Sequence, residues 1–242
     1  METCQEQILI LHGWGRFTGS WTPVKELLEK QGYQVFYPPF PGLDENQPLN
    51  SPWTIDDYVE WAKTYADKNG LADFFLLGHS FGGRVSIKFA VKYPEKLKGL
   101  ILVSAAGIRN KKISKVYNLF AKLSKAINKL SFIPGYQFCR KALYRLILRK
   151  TDYVTLKTQT MKETFKNVIE EDLAGQLAQI KTPTLILWGD KDKTTPLSDG
   201  KFMERMISGS LLRIIAGAPH MIHVDAPEKV AQEILDFVNR HE

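Results

Sequence analysis

Two rhythms of apolar residues alternate along the chain. Short continuous apolar runs of strand length are separated by stretches in which apolar residues return every three or four positions. Residues 7–12 form the first run, and 20–31 follow as a helix with Trp21, Val24, Leu27 and Leu28 on one face. Residues 33–40 read as a strand stopped by Pro38, Pro39 and Pro41, and 54–68 as a helix with Ile55, Tyr58, Val59, Trp61 and Ala62 in register. A buried strand over 74–77, a helix over 81–92 and a strand over 97–105 come next. After residue 181 the alternation resumes, with strands over 184–188 and 211–216 and helices over 198–207 and 227–240. Strands separated by helices need crossover connections, which are right-handed and give a mainly parallel sheet with flanking helices. The expected class is α/β.

Between residues 109 and 181 the alternation stops and only the helical period remains. Ile113, Val116, Tyr117, Phe120, Leu123, Ile127 and Leu130 keep 3.6-residue spacing, while Lys111, Lys112, Lys115, Lys122, Lys125 and Lys129 fall mostly elsewhere. Pro134-Gly135 breaks the pattern, and a second basic helix is expected over about 137–150. The chain therefore divides into an α/β core of residues 1–108 and 182–242 and an all-helical insertion, or cap, over 109–181. Tyr117, Phe120, Leu123, Leu143 and Leu146 are the apolar cap residues expected to face a pocket or the core below.

Composition supports one well-cored unit with an insertion: 242 residues, 44% apolar and 24% charged. The formal charge of +7 is unevenly placed. Residues 109–181 hold 16 Lys/Arg against 5 Asp/Glu, a local +11, which leaves −4 for the rest. On the second cap helix Lys141, Arg145 and Arg149 share one face beside an apolar stripe of Ala142, Leu143 and Leu146. Such a face suits a solvated lid first, then a dock for an acidic carrier protein or anionic substrate, and least a membrane surface. Zinc-finger spacing, RNP aromatics and a helix-turn-helix glycine turn are all missing, so no nucleic-acid partner is expected. Two cysteines, Cys4 and Cys139, exclude a disulfide scaffold. With no 18-residue apolar run, no basic n-region before residues 8–11 and no Asn-x-Ser/Thr sequon, a cytoplasmic, soluble chain is expected.

The chemistry concentrates at Gly78-His79-Ser80-Phe81-Gly82, set between a strand and a helix. A serine on so tight a turn sits in strained backbone, and its hydroxyl projects above the sheet. The following helix aims its first N–H groups at developing negative charge. A serine hydroxyl is a weak nucleophile and needs a base that is itself oriented by an acid. Downstream lie His220, His223 and His241. His220 sits on the loop after the strand over 211–216 and is the expected base, His223 being a packing residue and His241 a solvated terminal one. The acid falls in Gly189-Asp190-Lys191-Asp192, as Asp190 or Asp192, because Ser104-Ala105-Ala106-Gly107 after the preceding strand holds none. A calcium loop is not expected at this Asp-x-Asp, since its glycine and closing glutamate are absent. A dinucleotide fingerprint at Gly13-Trp14-Gly15 fails too, because Gly19 comes one place late.

These residues resemble the α/β-hydrolase superfamily over nearly the whole chain outside the cap. His12-Gly13-Trp14-Gly15 is similar to its oxyanion loop, Gly78-His79-Ser80-Phe81-Gly82 to its nucleophile elbow, and 172–184 to the approach to the late strand that carries the acid. The family's G-x-x-D-x-x-x-P pattern falls on Gly189, Asp192 and Pro196 and so selects Asp192; its G-x-x-H pattern selects His220, with Asp225 and Pro227-Glu228 behind it. The resemblance implies a Ser80–His220–Asp192 triad with the backbone N–H groups of Trp14 and Phe81 as oxyanion hole. Two departures stand out: one or two early antiparallel strands of the usual eight are expected to be absent, and the loop after Phe36 lacks the common Asp-x-Pro-Gly-x-Gly.

The expected activity is hydrolysis of carboxylic esters or thioesters through an acyl-enzyme, with a small-molecule ester as substrate and no cofactor or metal. Serine at the nucleophile position disfavours the haloalkane-dehalogenase and epoxide-hydrolase relatives, which use an aspartate. Carbon–carbon hydrolases and cofactor-free perhydrolases share the triad. The tryptophan after His12-Gly13, the short chain and the basic lid are also similar to pimeloyl-carrier-protein methyl ester esterases. Hydrolase-like small-ligand receptors form the non-enzymatic alternative.

Overall fold

Strands that are apolar on both faces must be covered from both sides. The computed structural model, which describes residues 5–15, 19–109, 156 and 158–241, shows how. Its strands are β1 (Gln7–Leu11), β2 (Gln34–Phe36), β3 (Phe74–His79), β4 (Leu97–Val103), β5 (Thr184–Gly189) and β6 (Leu211–Ile215). They form one sheet in the order β2-β1-β3-β4-β5-β6, and every neighbouring pair is parallel. Successive side chains go to opposite faces. Leu9, Leu11, Leu76, Leu102 and Trp188 thus join one core, while Ile8, Ile10, Leu77, Val103 and Leu187 join the other.

Helices α1 (Thr22–Lys30), α2 (Ile55–Lys68) and α3 (Phe81–Lys92) are followed by α4 (Gln159–Glu170), α5 (Leu197–Met206), the short α6 (Ile222–Asp225) and α7 (Pro227–Val238). Val24 and Leu28 of α1 and Val230 and Ile234 of α7 cover one face; Ile55 and Val59 of α2, Val85 of α3 and Met203 of α5 cover the other. The α2 start is fixed by a capping box between Thr54 and Asp57, worth about 1 kcal/mol.

The chain leaves β1 toward β2 on one side and returns to β3 on the other. The order reverses between β1 and β3, and the crevice beyond their carboxyl ends is where open α/β sheets bind ligands. The turns after β1 and β3, carrying Trp14 and Ser80, meet there.

Some boundaries differ from expectation. Only Gln34–Phe36 of the run 33–40 is strand, because the prolines that follow supply no N–H to a ladder. β3 extends through Gly78 and His79, which pair with Leu102 and Val103 of β4. Helix α6 was not anticipated; four residues are too few for a visible period.

Of the expected cap, α4 and a 3₁₀ turn at Ala174–Gln179 are described. The amphipathic helices expected around 113–130 and 137–150 lie outside the described residues, with Tyr117, Phe120, Leu123, Leu143, Leu146 and the Lys141/Arg145/Arg149 face. Where the chain leaves the core it meets residues 172–173: Leu173 N–H donates to Gly107 C=O at 2.9 Å, and Arg109 N–H to the Asp172 carboxylate at 3.2 Å. Among the described residues no helix is long and apolar enough to cross a membrane.

Candidate active site

Ser80 directly follows β3 and precedes the first residue of α3, with φ 51° and ψ −112°. A non-glycine residue held there costs about 1–3 kcal/mol, so its surroundings must enforce the turn. They do so by close backbone packing. Gly82 N–H donates to the His12 carbonyl at 3.0 Å, and a Cβ on Gly82 would fall 2.0 Å from the Leu11 carbonyl oxygen. A Cβ on Gly78 would lie 2.4 Å from Ser86 Oγ. The glycines two places either side of the serine let β1, β3 and α3 converge beneath its hydroxyl.

Two loops bring the partners. The loop after β5 and the loop after β6 lie against each other, since a Cβ on Gly189 would sit 2.2 Å from the Ala218 carbonyl and Lys191 N–H donates to that carbonyl at 3.1 Å. Ser80 Oγ is consequently 3.0 Å from His220 Nε2, and His220 Nδ1 is 2.8 Å from Asp192 Oδ2. With Asp192 as a carboxylate, Nδ1 carries the proton and Nε2 is left to accept from the serine.

Asp192 is 7% exposed. Burial raises its carboxyl pKa, but the bonds from His220 and Thr195 and the Thr194 amide outweigh this and hold it below the ordinary value. Its Oδ1 accepts the Thr194 and Thr195 amides at 2.8 and 2.9 Å. Asp190 points elsewhere, accepting Gly217 N–H at 2.7 Å and so bracing the loop that carries His220.

Trp14 and Phe81 stand together, their rings 4.9 Å apart and nearly perpendicular. Among the described residues neither backbone N–H meets an acceptor, whereas the next two amides of α3 are engaged by His12 and Ser80 carbonyls. The Trp14 peptide is fixed by His12. Phe40 N–H donates to His12 Nε2 at 3.0 Å, which leaves Nδ1–H to donate to the Gly13 carbonyl at 2.7 Å. That carbonyl belongs to the same peptide plane as Trp14 N–H, so holding one aims the other. Burial pushes the His12 pKa down to about 4, with the Gly13 carbonyl opposing, and the ring stays neutral.

Two further histidines flank the base. His79 is fully enclosed, its Nε2–H 3.3 Å from the His220 carbonyl, and burial together with His223 and His220 depresses its pKa well below the usual range. His223 stacks on Trp21 at 4.1 Å and lies 3.2 Å from Ser20 Oγ. Burial and His220 push its pKa down to about 3, in keeping with the packing role expected for it. His241, exposed by expectation, is half-buried and bonds the Phe237 carbonyl.

Every residue singled out for the triad and its hydrogen-bond donors thus lies at one end of the sheet. Supporting roles for His12, His79 and Thr195 were not foreseen. The first two lie inside quoted motifs, yet nothing in a sequence says which carbonyl a ring will meet; Thr195 carried no signal beyond preceding Pro196.

The sequence profile described as the alpha/beta hydrolase fold matches residues 7–227. Lipase 1 of Psychrobacter immobilis is 26% identical over 249 residues, covering 96% of this chain and 76% of that protein. The 2-hydroxy-6-oxononadienedioate/2-hydroxy-6-oxononatrienedioate hydrolase of Escherichia coli K12 is 25% identical over 258 residues, covering 97% and 88%. Among solved structures, MGS-M2, an alpha/beta hydrolase enzyme from a Medee basin deep-sea metagenome library, superposes with a TM-score of 0.75 at 21% identity, over 99% of this chain and 91% of that one.

Proposed function

The chain belongs to the alpha/beta hydrolase fold family, and from that premise we propose that it is a serine hydrolase of carboxylic esters. The observation that carries the reading is the continuous hydrogen-bonded line from Ser80 Oγ through His220 to Asp192, at 3.0 and 2.8 Å. Ser80 Oγ adds to the ester carbonyl carbon as its proton passes to His220 Nε2, and Asp192 stabilises the imidazolium. The carbonyl oxygen, now an oxyanion, is held by the N–H groups of Trp14 and Phe81. Collapse expels the alcohol, which takes the proton from His220. Water, deprotonated by His220, then adds to the acyl-enzyme and releases the acid and free Ser80. No step calls for a cofactor. The lipase relative supports an ester substrate, and the cysteine-poor chain suits a reducing compartment such as the cytoplasm.

A second reading, hydrolysis of a carbon–carbon bond next to a carbonyl, is favoured by the Escherichia coli relative, which this chain matches over more of that protein's length. A fluorophosphonate probe and a series of p-nitrophenyl esters of increasing chain length test the proposal. The expected outcome is a single adduct on Ser80, absent in Ser80→Ala, with ester turnover lost in that variant. Labelling without ester turnover, but with cleavage of a vinylogous diketone, points to the second reading; labelling with neither points to a ligand-binding receptor. An unlabelled Ser80 defeats the nucleophile assignment.

A further inference from the structure

Resting on the triad reading above, we propose that Thr195 is a positioning residue of the same site: its hydroxyl shares Asp192 Oδ2 with His220 and thereby limits how tightly the carboxylate grips the imidazolium. Thr195 Oγ1 lies 2.8 Å from Asp192 Oδ2, the same distance at which His220 Nδ1 reaches that oxygen. The Asp192 carboxylate therefore has four donors on its four lone-pair directions: the Thr194 and Thr195 amides on Oδ1, and the Thr195 hydroxyl and His220 Nδ1–H on Oδ2.

The hydroxyl is held in place by the core. Thr195 is buried; its own amide is bonded to Asp192, and its carbonyl accepts the indole N–H of fully buried Trp188 at 2.8 Å. It has one proton and two acceptors in reach, Asp192 Oδ2 at 2.8 Å and the Ser104 carbonyl at 3.0 Å. An ionised carboxylate is the stronger acceptor at comparable distance, so the proton points to Asp192. The Thr195 oxygen is 3.2 Å from His220 Nδ1, too long to compete with the carboxylate for the imidazole proton.

A donor added to a carboxylate oxygen draws off charge that would otherwise stabilise the imidazolium. His220 thus meets a weakened partner and more readily returns its proton to the leaving group. The other groups facing the pair are His79 at the end of β3, His223 on α6 and Asp199 on α5, with His12 behind His79. The three histidines are neutral by burial, leaving Thr195 the close neighbour that donates directly to the reacting oxygen.

Thr195→Val removes the hydroxyl and keeps the shape; Thr195→Ser restores it. Two readouts go beyond stability: the low-field proton resonance of His220 Nδ1–H, and the acid limb of the kcat/KM profile on p-nitrophenyl acetate. In Thr195→Val the resonance should move further downfield and the acid limb rise by about half a unit to one unit, while Thr195→Ser should match the parent. An unmoved resonance and limb, with only a lower Tm, would reduce Thr195 to packing and overturn the proposal. A limb that falls would overturn it too, because it means the hydroxyl donates to Ser104. If the parent protein hydrolyses no ester and its low-field resonance survives Asp192→Asn, the triad reading itself fails, an outcome distinct from both.

Discussion

Replacing Asp192 by asparagine tests the site through its hydrogen bonds alone, because the two side chains are nearly isosteric. The Thr194 and Thr195 amides both donate to Oδ1, at 2.8 and 2.9 Å. An asparagine must put its carbonyl oxygen there, since its NH₂ group would face two donors. The NH₂ then takes the place of Oδ2, 2.8 Å from His220 Nδ1. That nitrogen can no longer donate and must accept, so the imidazole proton moves to Nε2, opposite Ser80 Oγ. The base then presents a proton where it should accept one. A wrong-tautomer histidine costs about 10⁴-fold in kcat, or about 5.4 kcal/mol at 1.36 kcal/mol per decade. Steady-state hydrolysis of p-nitrophenyl acetate measures the loss, with intact-mass detection of the acyl-enzyme to show whether acylation is the slowed step. Asp190→Asn is the control: its contact is a single bond to Gly217 N–H, which an amide oxygen keeps, so kcat should stay within threefold. Near-normal turnover in Asp192→Asn, or a collapse confined to Asp190→Asn, would refute the reasoning.

Two other predictions follow from packing and burial. Gly82→Ala forces a Cβ to within 2.0 Å of the Leu11 carbonyl, so it should cost about 2–3 kcal/mol in urea unfolding and remove most ester turnover; Gly175→Ala, with nothing within 4 Å of its Cβ, should be silent in both. Stability should fall as pH drops from 6.5 toward 4, because His12 and His223 have pKa values lowered to about 4 and 3 and the unfolded chain binds the protons that the folded one excludes. Each ring costs about 2 kcal/mol of stability between pH 7.5 and pH 5, and the loss continues as pH falls toward its folded pKa. Urea midpoints unchanged between those pH values would show that these rings are not buried in the neutral form.

The class of fold and the candidate residues that the structure brings together could be read from the chain alone, because both depend on local patterns. Continuous apolar runs such as Phe74–Leu77, separated by helical periods, admit few architectures besides a covered parallel sheet. The glycines around Ser80 are visible because only glycine survives contacts as close as that of Gly82 with Leu11. Order along the chain placed a base and an acid after later strands, and the family pattern chose Asp192 over Asp190. The tertiary structure supplied the rest. Both aspartates sit on the same loop, and only the packing of that loop against 217–219 turns Asp192 toward His220 and Asp190 toward Gly217. The roles of His12, His79 and Thr195 depend on which carbonyl or carboxylate lies within 3.3 Å of each side chain: the adjacent residue for His12, one three residues away for Thr195 and one 141 residues away for His79. Helix α6 escaped notice because one turn is shorter than its own period, and β2 stopped early because proline removes the donors that would have continued it. Patterns that repeat along a chain can be read from it; hydrogen bonds made once, between distant loops, exist only after the core has set their geometry.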